Sequence, residues 1–143
     1  TKRRITVQPP RVLGQYEVRV PACGPDDNER GMLLLPSIAV PVATHTGWNL
    51  RHPSIGAEGE LLSLTGSYIP FSRTREERER SGDPRPALLE RYPAFDAYLE
   101  QFTAAAKRLV QERYLLEEDL PALLDLARKQ RPLFEPPPTR GER

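Results

Sequence analysis

Hydrophobic positions along the chain follow two rhythms. From Gln15 to Val20 polar and apolar residues alternate, with Tyr16, Val18 and Val20 against Gln15, Glu17 and Arg19. That is the period-two pattern of a strand with one buried face. Pro21 closes it, and Gly24 to Gly31 is a dense cluster of turn formers. The apolar run Met32 to Leu35 then predicts a second short strand. Pro36 and Pro41 keep Ser37 to Val42 extended but unsuited to a sheet interior. From Ala43 to Phe71 no period holds. Trp48, Leu50, Ile55, Leu61, Leu62, Leu64, Tyr68, Ile69 and Phe71 are spaced too irregularly for one face. Little regular structure is expected there, and so many large apolar side chains call for a further surface to lie on.

Past Arg73 the rhythm becomes helical. Thr74-Arg75-Glu76-Glu77 fits a capping box, with Gly82 and Pro84 as the stop. Pro86 to Arg91 reads as one more turn. Pro93 opens the strongest helix, whose stripe is Phe95, Tyr98, Leu99, Phe102, Ala106, Leu109 and Val110. A third helix is expected over 117–130, acidic at its start and basic at its end, with Leu120, Leu123, Leu124 and Ala127 inward. The two long helices should form an antiparallel hairpin.

This pattern predicts an α+β chain in three parts. An extended, proline-rich wrapping segment with a short hairpin spans 1–72, a helical segment spans 73–131, and a flexible tail spans 132–143. Sixteen prolines and nine glycines in 143 residues exclude an all-helical bundle. The net charge of +1 gives no bulk positive field, so no nucleic-acid partner is expected, the Lys2-Arg3-Arg4 run notwithstanding. No apolar run approaches a membrane span. Thr1 stands where an initiator Met would, so the chain reads as beginning after a cut.

Candidate chemistry is sparse. Cys23 is alone, which excludes a disulfide framework, and it reads as a small buried residue ending a strand. Asp26, Asp27, Asn28 and Glu29 lack the spacing of a calcium loop and read as a turn in water. His45 and His52 have no matched Asp, Glu or Cys, so no metal site and no cofactor is expected. His45 also lacks a nearby orienting carboxylate, and His52 before Pro53 reads as exposed.

Three strings are distinctive: 36–44 (PSIAVPVAT), 46–51 (TGWNLR) and 64–71 (LTGSYIPF). After them come Gly82-Asp83-Pro84-Arg85-Pro86 and Glu90-Arg91-Tyr92-Pro93. Over roughly residues 10–130 this succession resembles the C-terminal portion of a bacterial family of large α/β-hydrolase-domain proteins of poorly defined substrate. The resemblance implies a larger α/β-hydrolase fold of which this chain forms the C-terminal part. It also implies a serine nucleophile in an elbow after a central strand, with the acid and histidine following, all upstream of the matching segment. No serine here stands in a Gly-x-Ser-x-Gly frame. The family pattern carries an aromatic residue where His45 stands. No catalytic residue is therefore carried over. Trp48, Asn49, Arg51 and His45 are the substrate-pocket candidates, beside the simpler reading that they anchor a loop.

The expectation is a C-terminal fragment or subunit of a serine-type hydrolase of esters or amides, inactive alone. Its partner would be the rest of the hydrolase chain or a second subunit, with self-association of the 43–71 region as a further outcome. The alternative is a non-enzymatic interaction module that uses the helical hairpin and that loop.

Overall fold

The computed structural model describes Gly14, Glu17 and residues 21–31, 33–62 and 64–136. Apart from Glu17, the strand expected over 15–20 lies outside the described residues, as do Lys2 to Arg4 and 137–143. The first regular element is a helical turn, α1 (Pro36–Ala39). Leu33 to Leu35 are not the expected strand, and Pro36 does not hold the chain extended. The proline ring fixes φ near the helical value, so Pro36 takes the first helical position, and its carbonyl accepts the Val40 N–H at 2.9 Å.

The region expected to lack regular structure contains an antiparallel pair, β1 (Ala43–Thr46) with β2 (Ser67–Pro70). Its register sets Thr44 opposite Ile69 and His45 opposite Tyr68. Each strand is four residues long and its partner lies some twenty residues away, so no local period announces it. Gly66 is required where the second strand begins: a Cβ there would stand 2.3 Å from the Thr46 carbonyl oxygen. Between the strands, Leu50 bridges Leu61 and a 3-10 turn runs over Pro53–Ile55.

The helical half follows its sequence signals closely. In α2 (Arg75–Ser81) the Thr74 hydroxyl accepts the Glu77 N–H, and the Glu77 carboxylate accepts those of Arg73 and Thr74. Gly82 closes that helix at φ 70°, the left-handed position that glycine occupies without strain. Helices α3 (Leu88–Arg91) and α4 (Phe95–Gln111) begin two residues after Pro86 and Pro93. The α4 stripe is buried through Phe95, Tyr98, Phe102, Ala106 and Leu109. A 3-10 turn (Glu117–Asp119) leads into α5 (Leu120–Arg128), which tolerates Pro121 in its first turn and packs against α4.

One core joins both halves of the sequence. Val40 and Val42 pack with Leu88, Tyr92, Phe95, Tyr98, Phe102 and Ala127. The Tyr92 hydroxyl donates to the Pro41 carbonyl at 3.0 Å, and burial pushes its pKa up to about 12. The first residues of the expected tail are ordered. Arg131–Phe134 forms a 3-10 turn, and Phe134 stacks edge-on against Phe95 with centroids 5.5 Å apart. Arg131 lies 4.2 Å over the Phe95 ring. An aromatic that can bury on the α4 stripe is not left in water.

Phe102 is 3% exposed at the centre of this core. Phe102→Ala should cost about 3–5 kcal/mol in urea denaturation. Leu116→Ala, at an exposed site, should change stability by about 0.5 kcal/mol or less. A loss under about 1 kcal/mol for Phe102→Ala would mean that the stripe faces water.

Candidate functional site

A chain loop takes the place of a third strand. β1 pairs with β2 on one edge, and its other edge meets the loop of residues 22–30. The Asn28 side chain acts as a strand of one residue: Nδ2 donates to the Ala43 carbonyl at 3.0 Å, and Oδ1 accepts the His45 N–H at 2.8 Å. A strand residue's N–H and the carbonyl two residues earlier point the same way, so one primary amide satisfies both. The loop is closed on itself by Arg30 N–H to the Ala22 carbonyl at 2.7 Å and Gly24 N–H to the Asn28 carbonyl at 2.8 Å. The turn expected to lie in water is therefore docked. Asn28 is 3% exposed, and Asp26 pairs with Arg91 at 3.5 Å.

Across the strand pair lies Arg85. Nε and Nη2 grip Asp83 at 2.9 and 2.7 Å, Nη1 donates to Thr44 Oγ1 at 2.9 Å and the Ile69 carbonyl at 3.1 Å, and Nη2 also reaches the Pro70 carbonyl at 3.4 Å. All five guanidinium N–H donors thus have acceptors within the chain. Thr44 in turn donates to the Asp26 carbonyl. Phe71 lies under both Arg85 and Arg91, 5.2 and 4.2 Å from its centroid. Hydrogen bonding from Arg85 holds the Asp83 carboxyl below the usual carboxylate range.

These elements wall a cleft of about 540 Å³, lined by the 22–30 loop, β1, Trp48, Ile69 and the Asp83–Arg85 turn. The four pocket candidates divide. His45 and Trp48 line the cleft. Asn49 and Arg51 hold their own hairpin instead. Asn49 Oδ1 accepts the Leu50 N–H at 2.8 Å, and Arg51 donates to the carbonyls of Gly56 and Ile55, each at 3.0 Å. Burial lowers the His45 pKa from its ordinary value, and Tyr68 meets the ring edge-on at 5.3 Å. Among the described residues no hydrogen bond joins that ring to a carboxylate, and none of their His, Cys, Asp and Glu side chains form a group of three able to hold a metal. His52 is exposed and caps a local turn, its Nδ1 2.8 Å from Ser54 Oγ.

Cys23 is exposed on the cleft wall rather than buried, because the main-chain bridge to Glu29 keeps it at the loop's surface. Asn28, Asp83 and Arg85 escaped the sequence reading. Asn28 looked like one turn former among several, and Asp83 and Arg85 looked like part of a helix stop. Arginine two residues after aspartate across a proline was the only local signal for the pair.

A sequence model of the α/β hydrolase domain family matches residues 4–125. The chain belongs to that family. No curated protein and no solved structure matches it.

Arg85→Ala leaves a half-buried carboxylate without its partner and should cost about 1.5–3 kcal/mol. Arg85→Lys keeps the charge without the planar fork and should remain clearly less stable than the wild type. The folded-state pKa of Asp83 lies below its ordinary 3.8, so the unfolded chain binds the proton more tightly. The resulting stability is present above pH 3.8 and disappears as pH falls through the folded value. Urea titrations across that range should show a shallower acid limb for Asp83→Asn; an unchanged limb would remove the pair from the acid response.

Proposed function

We propose that this chain is the C-terminal part, or a subunit, of a serine-type hydrolase of esters or amides whose nucleophile, acid and histidine lie outside residues 1–143. One observation carries the reading. The hydrolase family covers residues 4–125, yet no serine of the chain stands in a nucleophile elbow. An elbow sits at the top of a multi-stranded sheet, whereas the described residues hold a two-stranded one. The remainder of the hydrolase would then supply both the sheet and the triad.

The apolar surface around the strand pair supports a covered role. Trp48 is 53% exposed, Leu61 65%, and Leu64 fully exposed at a left-handed φ of 60°. Isolated surface leucines are ordinary, but Leu50, Ile55, Tyr68 and Ile69 are exposed in the same stretch, which concentrates apolar side chains on it. Laid against the catalytic part, the same face would bring the Trp48–His45 cleft near the reacting carbonyl as a binding wall. His45 would stand there as part of the wall and not as the triad base.

The isolated chain should neither hydrolyse an activated ester such as p-nitrophenyl acetate nor be labelled by a fluorophosphonate. The polypeptide encoded together with its upstream sequence should do both, through a serine before Thr1. Turnover with stoichiometric labelling of one serine within residues 1–143 would overturn the reading. So would a natural product of 16.2 kDa that purifies alone; the chain would then be an interaction module.

A further inference from the structure

The 540 Å³ cleft falls in the size range of small-molecule sites, and its charge is one-sided. Asp27, Glu29, Asp83 and Arg85 line it. Arg85 and Asp83 neutralise each other at 2.7 Å, and every guanidinium donor is already engaged within the chain. Arg85 therefore has no N–H left to receive an anion. Asp27 and Glu29 are exposed, and among the described residues neither takes part in an ion pair. Burial of His45 disfavours its charged form. Two carboxylates outside any close ion pair, Asp27 feeling Arg85 only through space, thus stand at the rim of a cavity whose remaining wall includes an exposed indole and Ile69.

We propose that this cleft binds small organic cations, an ammonium head on a compact apolar body. An indole face attracts a cation through its ring quadrupole, most strongly where water is excluded. The carboxylates of Asp27 and Glu29 add a Coulomb attraction that salt screens. Neither feature recognises a carboxylate or phosphate. The site belongs to this chain alone and stands independently of the hydrolase reading. If that reading also holds, it selects esters or amides that carry a positively charged group.

Trp48 is the single tryptophan of the chain, so fluorescence excited selectively at the indole, beyond tyrosine absorption, reports this cleft. The test titrates the folded chain with three ligands of one shape: choline, neutral 3,3-dimethylbutan-1-ol and anionic 3,3-dimethylbutanoate. The expected result is saturable quenching by choline with a Kd on the order of 1 mM, at least about tenfold tighter than the alcohol, and none with the acid. Raising the salt should weaken choline and leave the alcohol unchanged. Asp27→Asn with Glu29→Gln should remove the tenfold preference while alcohol binding persists, which also shows that the cleft is intact. Asn tolerates the left-handed φ of 60° at position 27, so the turn survives. Calorimetry on Trp48→Ala should show choline binding lost, with circular dichroism unchanged. Equal affinity for choline and the alcohol, preference for the acid, or no response to any of the three up to about 50 mM would overturn the proposal.

Discussion

A guanidinium largely withdrawn from water admits few arrangements, and the strand pair of this chain is organised around one. Arg85 must place five rigid donors while nearly excluded from water. It finds them in the Asp83 carboxylate, the Thr44 hydroxyl and two carbonyls of β2. Those acceptors come from three segments distant in sequence. Satisfying the one side chain therefore fixes where the strand pair sits against the turn that follows α2. An unsatisfied charge at this depth would cost several kcal/mol. This gives a weak, two-stranded sheet a defined position that its own few hydrogen bonds would not supply.

Asn28 extends the same logic to the opposite edge of β1. An exposed edge strand is an aggregation hazard, and here a side-chain amide occupies it. The loop carrying that amide is held in addition by Thr44 to the Asp26 carbonyl and by Asp26 to Arg91. Thr44 is thus shared: its hydroxyl accepts from Arg85 and donates to the loop. The cleft is the space left between these two anchored pieces. Its polar wall is neutralised internally, and its rim carboxylates and indole remain available.

The α/β hydrolase family model covers residues 4–125, and no serine of the chain stands in a nucleophile elbow; the proposed reading reconciles the two by placing the triad outside this chain. The apolar surface between Trp48 and Ile69 is of a kind that association would cover. The helical half needs no such help, since its stripe is buried by α5, by Val40 and Val42, and by the docked Phe134.

The helical half was legible because its signals are local. The Thr74–Glu77 capping box, the Gly82 stop and the Phe95 to Leu109 stripe each express chemistry acting within one or two turns, and the chain obeys them to within two residues. The family resemblance was legible too, as ordered strings. The first half was not. Strands of four residues paired across twenty carry no period, Pro36 can begin a helical turn as readily as keep a chain extended, and Phe134 looked like part of a tail until an aromatic stripe offered it cover. Of the four pocket candidates, tertiary structure left His45 and Trp48 lining the cleft, engaged Asn49 with the Leu50 N–H, and turned Arg51 to hairpin carbonyls. It also promoted Asn28 and Arg85, whose donors meet acceptors from fifteen to forty-one positions away, and with them Asp83, the carboxylate that Arg85 grips. Sequence fixes propensity over a few residues; which buried donor meets which acceptor is decided only when distant segments close on one another.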